Sequence, residues 1–374
     1  MNKFFAEVNK NFGLGCMRLP DRDGAIDVDQ VKQMVDEFID GGFNYFDTAH
    51  GYHSQRSEPT LKECLTSRYP RDKYVLTDKL TDFFFKSNKD IRPLFEMQLR
   101  QCGVEYFDFY LMHAQSRKNY DFFRQCNAYE TAFKLKSEGK VRHVGISFHD
   151  TADVLDKILT DYPDLDVVQL QLNYLDWDDP AVQSRANYEV CVKHNKPVIV
   201  MEPIKGGHLA KLTESASLLV NALNVSPANL ALRFAASLDN VFMTLSGMSN
   251  IAQLRENVPL MKNFAPLTER ELRVARSVAA LIKGENIIPC TACRYCVDGC
   301  PKHISIPDLF ACLNAKRHFN DWNADFYYNN VHTKGQGKAG DCIKCGKCER
   351  ACPQGLHIRE LLNDVAAEFE RKSD

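Results

Sequence analysis

The alternation of apolar runs and helical patterns along this 374-residue chain predicts an α/β protein, a (β/α)8 TIM barrel, and a doubled cysteine pattern in its last quarter predicts a small second domain behind it. Buried parallel strands read as short continuous apolar runs, each followed by a crossover helix of period 3.6. Eight such runs stand at 12–17, 45–48, 74–77, 107–112, 141–147, 167–172, 197–201 and 241–246. Between them lie helical patterns. Over 28–39, Val31, Met34, Val35, Phe38 and Ile39 mark one face. The stretch 226–238 opens on Ser226-Pro227, a helix start, with Ala231, Leu232, Ala235 and Leu238 inside. Eight repeats imply closure. A doubly wound open sheet is the rival, but no G-x-G-x-x-G follows the first run.

The barrel is expected over 1–265 and a helical connector over 266–287, where Leu272, Ala275, Val278, Ala279 and Ile282 share a face and Gly284 is the stop. The second domain is expected over 288–374. It holds Cys290-x2-Cys293-x2-Cys296-x3-Cys300-Pro301 and Cys342-x2-Cys345-x2-Cys348-x3-Cys352-Pro353. That spacing is the bacterial ferredoxin pattern for cubane clusters, and two copies imply two [4Fe-4S] clusters, the fourth cysteine of each run ligating the other cluster. Structural zinc prefers two separated C-x2–4-C knuckles per site, which fits tandem runs poorly. The domain is therefore expected to be ferredoxin-like, α+β or α-helical, with helices at 306–313 and 358–369 after each Cys-Pro. The aromatic, then Gly/Lys-rich stretch 319–340 reads as a loop. Cys312 reads as a buried thiol, and Cys16, Cys64, Cys102, Cys126 and Cys191 as barrel core.

A net charge of -2 and 44% hydrophobic residues describe a soluble globular chain with no basic patch for nucleic acid. No apolar run approaches the length of a membrane helix, and the N-terminus lacks a secretory pattern. Cysteines arranged as cluster ligands point to a reducing cytoplasm.

Catalytic groups of such barrels sit at the C-terminal ends of strands. Asp47 ends the second run, with Tyr52 five residues on; Lys79 follows the third, and His113 the fourth. Any one of these alone reads as a structural ion pair or a satisfied polar group. Together they make a proton donor. A phenol needs a nearby cation to donate near neutral pH, Lys79 can supply it, and Asp47 can orient the lysine. His113 can polarise a carbonyl oxygen.

With GLGCMRLP, FDTAHGY, Lys79 and LMH in these places, residues 9–262 resemble the aldo-keto reductase family, and the whole chain resembles its branch with a C-terminal two-[4Fe-4S] ferredoxin-like domain. The resemblance implies a catalytic tetrad of Asp47, Tyr52, Lys79 and His113, with Tyr52 donating the proton. It implies a nicotinamide cofactor, NADP or NAD, lying extended across the barrel mouth. Ser147 and Gln169 match the carboxamide contacts. Lys205, Gly206 and Gly207 match the pyrophosphate-side loop. Ser249, Asn250, Gln253, Glu256 and Asn257 match the adenosine-phosphate segment. The chain departs from the family in having Ser147-Phe148 for a Ser-Asn pair, Met201 or Glu202 for a stacking aromatic, and Gly247 and Gln253 for the Lys and Arg that grip a 2′-phosphate.

Phe83–Phe85, Tyr120–Phe123 and Trp177 follow strands and read either as an aromatic substrate wall or as core. Lys302, His303 and the 338–347 region read as solvated surface, or as a basic face for an acidic carrier. The expected activity is carbonyl/alcohol redox chemistry on a small molecule at the barrel mouth, with electrons relayed through the clusters and exchanged with a ferredoxin- or flavodoxin-type carrier. Nicotinamide moves electrons in pairs and a cubane moves them singly, so coupling calls for a flavin such as FMN or a substrate with a stable radical. The alternatives are an electron-transfer protein whose barrel is a flavin-binding or docking scaffold, and purely structural clusters.

Overall fold

The computed structural model describes residues 3–284 and 288–370; the ends of the expected domains at 1–2, 285–287 and 371–374 lie outside the described residues. Eight parallel strands close a barrel: β1 (Phe12–Gly15), β2 (Tyr45–Asp47), β3 (Val75–Leu80), β4 (Phe107–Gln115), β5 (Val141–Phe148), β6 (Val167–Gln171), β7 (Val198–Met201) and β8 (Val241–Ser246). Each pairs with its sequence neighbours, and β1 pairs with both β2 and β8. The helices form where the pattern places them. Asp27 caps α1 (Val28–Asp40) by accepting from the Gln30 amide, and Val31, Met34, Val35 and Phe38 are buried. Ser226 caps α2 (Pro227–Ala236) in the same way through Asn229, with Pro227 in the first turn.

The register decides where chemistry can sit. Asp47 pairs with Thr77, Thr77 with Phe109, and Ser147 with Gln169. Side chains alternate along a strand, so Tyr45 and Asp47 share a face, as do Val75, Thr77 and Lys79, and Val167 and Gln169. The lower positions of that face form an apolar interior of Tyr45, Val75, Phe109, Leu111, Val167, Ile199, Met243 and Leu245, plugged from below by Phe5 and Val8. This interior is full: a Cβ on Gly145 would stand 2.5 Å from Val167 and 2.8 Å from Leu111. The polar positions therefore collect in the top layer.

Beyond the barrel, α3 (Ile251–Lys262) precedes α4 (Glu269–Gly284), which buries Ala275, Val278, Ala279 and Ile282 against the barrel core. The second domain holds α5 (Ile306–Phe319), α6 (Trp322–Phe326) and α7 (Ile358–Phe369). Its one isolated bridge among the described residues joins Ile304 and Gly337.

The stretch 319–340 is not the loop its composition suggests. Asp321 caps α6 by accepting from Asn323, and a π-type turn over Tyr327–His332 buries Tyr327, Tyr328, Val331 and His332. Its aromatics fill the second core with Leu309, Phe310 and Leu313, and Ala181 and Val182 of the barrel join that core.

The two domains meet over a buried ion triad. The Lys205 ammonium lies 2.8 Å from Asp176 of the barrel and 3.2 Å from Asp321 of the second domain, all three side chains being under a tenth exposed. Removing the cation would leave two carboxylates in a site without water. Lys205→Ala should therefore cost about 3–5 kcal/mol of stability in anaerobic denaturant unfolding, and a change under about 0.5 kcal/mol would contradict this role.

Candidate active site and metal centres

The top layer of the barrel brings together all four residues of the expected tetrad. Lys79 is fully buried, and its three protons have three acceptors: Asp47 Oδ1 at 2.6 Å, the Thr48 carbonyl at 2.8 Å and the Tyr52 oxygen at 3.2 Å. Burial alone would depress this ammonium, but Asp47 and the Tyr52 oxygen outweigh it and hold the lysine charged. Tyr52 is itself raised above the ordinary tyrosine range, chiefly by burial, with Lys79 pulling the other way. Burial and the Lys79 charge push His113 well below its ordinary value, so it stands neutral, its Nδ1 2.7 Å from Thr81 Oγ1. Gln169 Nε2 donates to Asp47 Oδ2 at 3.2 Å and fixes the carboxylate. A phenol that accepts from an ammonium and keeps its own proton is a poised acid.

Behind Lys79 lies a second polar cluster that the sequence reading missed. Glu58 sits 2.8 Å from His50 Nδ1, Asp78 accepts from the Lys79 amide at 2.7 Å, and the Cys102 thiol reaches Asp78 at 3.8 Å. The two carboxyls also hydrogen-bond each other; burial holds Glu58 up to about 7, and burial with the Glu58 charge pushes Asp78 well above the usual carboxylate range. Glu58 and Asp78 flank the catalytic-looking lysine without meeting it through their side chains.

A cleft of about 440 Å³ crosses the barrel mouth above the tetrad. Of the residues matched to a nicotinamide, Ser147, Gln169, Gly206, Gly207, Ser249, Gln253, Glu256 and Asn257 line it. Gly206 and Gly207 take φ of +64° and +101°, which turns the loop along the cleft floor. Two others are engaged elsewhere: Lys205 is held in the ion triad, and Asn250 caps α3 through the Gln253 amide. Arg18 is the one Lys or Arg lining the cleft among the described residues; it lies between Gly206 and Gly247 and reaches Glu202 at 3.5 Å. Glu256, also on the cleft wall, accepts from Ser226 at 2.7 Å.

None of the aromatics read as a substrate wall lines the cleft. Phe85 stacks on Phe122 and Phe123, Trp177 packs on Tyr188 and Phe234, and Phe83 points to solvent. The aromatic wall comes instead from the second domain, as Trp322 and Phe326, with Asn323 beside them. Phe326 packs at 5.3 Å on His149, whose ring burial holds down to about 4 and which also lines the cleft. The SFH sequence after β5 was the available signal for His149; nothing local pointed to α6.

The eight motif cysteines line two small cavities. Cys290, Cys293 and Cys296 share one with Cys352; Cys342, Cys345 and Cys348 share the other with Cys300. The fourth cysteine of each run thus lines the other run's cavity. The backbone repeats too. Ala292, Arg294 and His303 have positive φ, and so do Lys344, Gly346 and Gly355 at the same offsets from the first cysteine of each run. Four sulfurs around an otherwise largely apolar cavity (Ile306 and Phe310 in one, Ile304 and Leu362 in the other) fit an iron–sulfur cubane.

A model of the aldo/keto reductase family matches residues 11–280, and one of a 4Fe-4S dicluster domain matches residues 289–357. A 9,11-endoperoxide prostaglandin H2 reductase of Trypanosoma cruzi (strain CL Brener) is 26% identical over 264 residues, 70% of this chain and 84% of that protein. An NADH-specific methylglyoxal reductase of Escherichia coli (strain K12) is 30% identical over 152 residues, 36% of this chain and 45% of that protein. An aldo-keto reductase from Klebsiella pneumoniae, solved in complex with NADPH, superposes with a TM-score of 0.60 at 20% identity, covering 73% of this chain and 95% of that one.

The crossed cysteines have a direct test in metal content. Cys300→Ser should lower iron from about eight to about four per chain, and adding Cys345→Ser should remove no more, because both serve one cavity. Complete loss of iron in that double variant would contradict the crossing.

The carboxyl pair has a pH signature. A folded-state value raised from 4.5 to about 7 means that the stability from Glu58 is full below 4.5 and is lost as pH rises through about 7. The Tm advantage of wild type over Glu58→Gln should shrink across that window. A difference independent of pH would refute the shared proton.

Proposed function

This chain belongs to the aldo/keto reductase family and carries a 4Fe-4S dicluster domain behind its barrel; from that premise we propose that its cleft interconverts a carbonyl and an alcohol on a small molecule, with single electrons relayed through two clusters. The observation that carries the reading is the Lys79 ammonium, fully buried and shared between Asp47 and the Tyr52 oxygen.

Each residue has a part that follows from its surroundings. Asp47 holds Lys79 in place and keeps it charged. Lys79 stabilises the phenolate that remains when Tyr52 gives its proton to the substrate oxygen. His113 is neutral, with Nδ1 2.7 Å from Thr81 Oγ1; in the tautomer in which the Thr81 hydroxyl donates, its own proton is on Nε2 for the same oxygen. Ser147 and Gln169 would meet a nicotinamide carboxamide, and His149 lines the same cleft. Gly206 and Gly207 let the backbone approach a pyrophosphate, with Arg18 the nearby cation. Ser249, Gln253, Glu256 and Asn257 would meet the adenosine. A bound nicotinamide supplies hydride, two electrons together. Arg18 lays its stem along Gly247 and turns its guanidinium to Gly206, so at its adenosine end the cleft offers the Glu256 carboxylate, which favours NADH over NADPH.

Cys290, Cys293, Cys296 and Cys352 would hold one cluster, and Cys342, Cys345, Cys348 and Cys300 the other; clusters so bound supply one-electron steps. Reduction of a carbonyl takes two electrons and two protons, so the pair of centres would supply one turnover to a substrate whose one-electron radical is stable. A ferredoxin- or flavodoxin-type carrier would exchange electrons with them, in a cytoplasm that keeps the thiols reduced. No helix among the described residues is long and apolar enough to cross a membrane.

Tyr52→Phe should lower kcat for carbonyl reduction by at least about 100-fold with iron and sulfide content unchanged. Retained activity would end the assignment, and bound FMN without carbonyl turnover would make the barrel an electron-transfer scaffold. NADH should show the lower KM, and Glu256→Lys should move preference toward NADPH. An unchanged ratio of the two KM values would contradict the role of Glu256.

A further inference from the structure

We propose that the surface around Ile343 is the docking site for an acidic one-electron carrier protein, and that electrons enter the chain there, at the cavity shared by Cys342, Cys345, Cys348 and Cys300. This rests on the reading of the clusters as redox-active. That cavity reaches the surface: Cys345 is exposed, and Ile343, on its wall, is 57% exposed. Around this apolar spot the charge is one-sided. Lys344 and Lys347 flank it in sequence, and Lys302 lines the same cavity. The Ile304–Gly337 bridge, with the Gly337 amide donating to the His303 carbonyl at 3.3 Å, holds Lys334 and Lys338 beside Lys302.

These lysines are exposed, and none has an ion pair among the described residues, whereas Lys32, Lys136, Lys157, Lys193, Lys205 and Lys316 each meet a carboxylate. Of the acids nearby, Glu349 is taken by Arg359 at 2.7 Å and Glu370 accepts from Tyr328 and from the Gly340 amide, which leaves Asp341. In a chain of net charge -2 such a ring is a local feature. An apolar centre inside a charged rim is the usual build of a transient interface, and the rim steers a partner of opposite sign. The other cavity lacks this surround: Arg294 on its wall is held by Asp308 at 2.8 Å, and exposed Tyr295 and Asp298 stand beside it.

The position suits an entrance. Ile306 is on the wall of both cavities, so the two adjoin. The other cavity, whose Cys293 is exposed as Cys345 is, is walled by Pro307 and Phe310 of α5, and Ala311, Cys312 and Ala315 of the same helix face the barrel junction that holds Lys205. In the step itself the carrier loses one electron and the cluster gains it. No bond forms and no proton moves.

The test uses the anaerobic holoprotein and reduced plant-type [2Fe-2S] ferredoxin as an acidic probe, with cluster reduction followed by stopped-flow absorbance. Wild type should be reduced at a rate that falls steeply with salt. The K302E/K344E/K347E variant should be at least about 10-fold slower at low salt, with little salt dependence left. Dithionite needs no docking and should reduce both proteins alike, with equal iron and sulfide. Wild-type rate and salt dependence in the variant would overturn the docking site, as would a surface that retains duplex DNA but accepts no electrons from ferredoxin. Failure of dithionite to reduce the clusters of wild type would instead overturn the redox reading beneath it.

Discussion

Much of this molecule depends on one buried ammonium that is not in the reaction. Lys205 leaves a loop after β7 and finds Asp176 on the barrel side and Asp321 on the other. A charge without water needs partners, and here the partners come from two domains. Because Asp321 also caps α6, the clamp that holds the domains together sets Trp322, Asn323 and Phe326 into the cleft. The iron–sulfur domain is thereby a wall of the reductase site, and no longer only an appendage to it.

The same physics operates with a different outcome one layer deeper. Lys79 is also stripped of water, but only two of its three acceptors are strongly basic or fixed groups, Asp47 and the Thr48 carbonyl; the third is the Tyr52 phenol. Lys205 spends its charge on architecture between two carboxylates, whereas Lys79 directs part of its charge at a group that can lose a proton. Position in the register explains the difference: the apolar layers below force Asp47, Lys79, Ser147 and Gln169 to the top of the barrel.

What could be read from the residues were features set by local chemistry. The eight strands and the helices α1 and α2 followed from periodicity and caps, and the tetrad from its place at strand ends. The cysteine runs carried their own geometry, down to the fourth cysteine of each run lining the other run's cavity. What could not be read depends on packing between distant segments. The stretch 319–340 looks like a loop because its Gly and Lys residues are visible, whereas the burial of Tyr327 and Tyr328 is not. Lys205 sits at a family cofactor position, and only the arrival of Asp321 removes it from the cleft. Phe83–Phe85 and Trp177 are adjacent to the site in sequence, yet the aromatic wall comes from Trp322 and Phe326, more than a hundred residues beyond any of them. Glu58 and Asp78 were invisible because a shared proton is a property of two side chains in contact.

The most direct measurement of whether cleft and clusters form one electron circuit is an anaerobic single turnover without nicotinamide. Clusters are first reduced with dithionite and freed of excess reductant, and the protein is then mixed with a panel of quinones, α-diketones and aryl ketones, carbonyls whose one-electron radicals are stabilised by delocalisation. A single circuit predicts bleaching reversed by at least one of these carbonyls, with one alcohol formed for every two electrons lost. Clusters that stay reduced with every carbonyl, while NADH drives reduction of the same compounds at full rate, would show that barrel and iron–sulfur domain work apart.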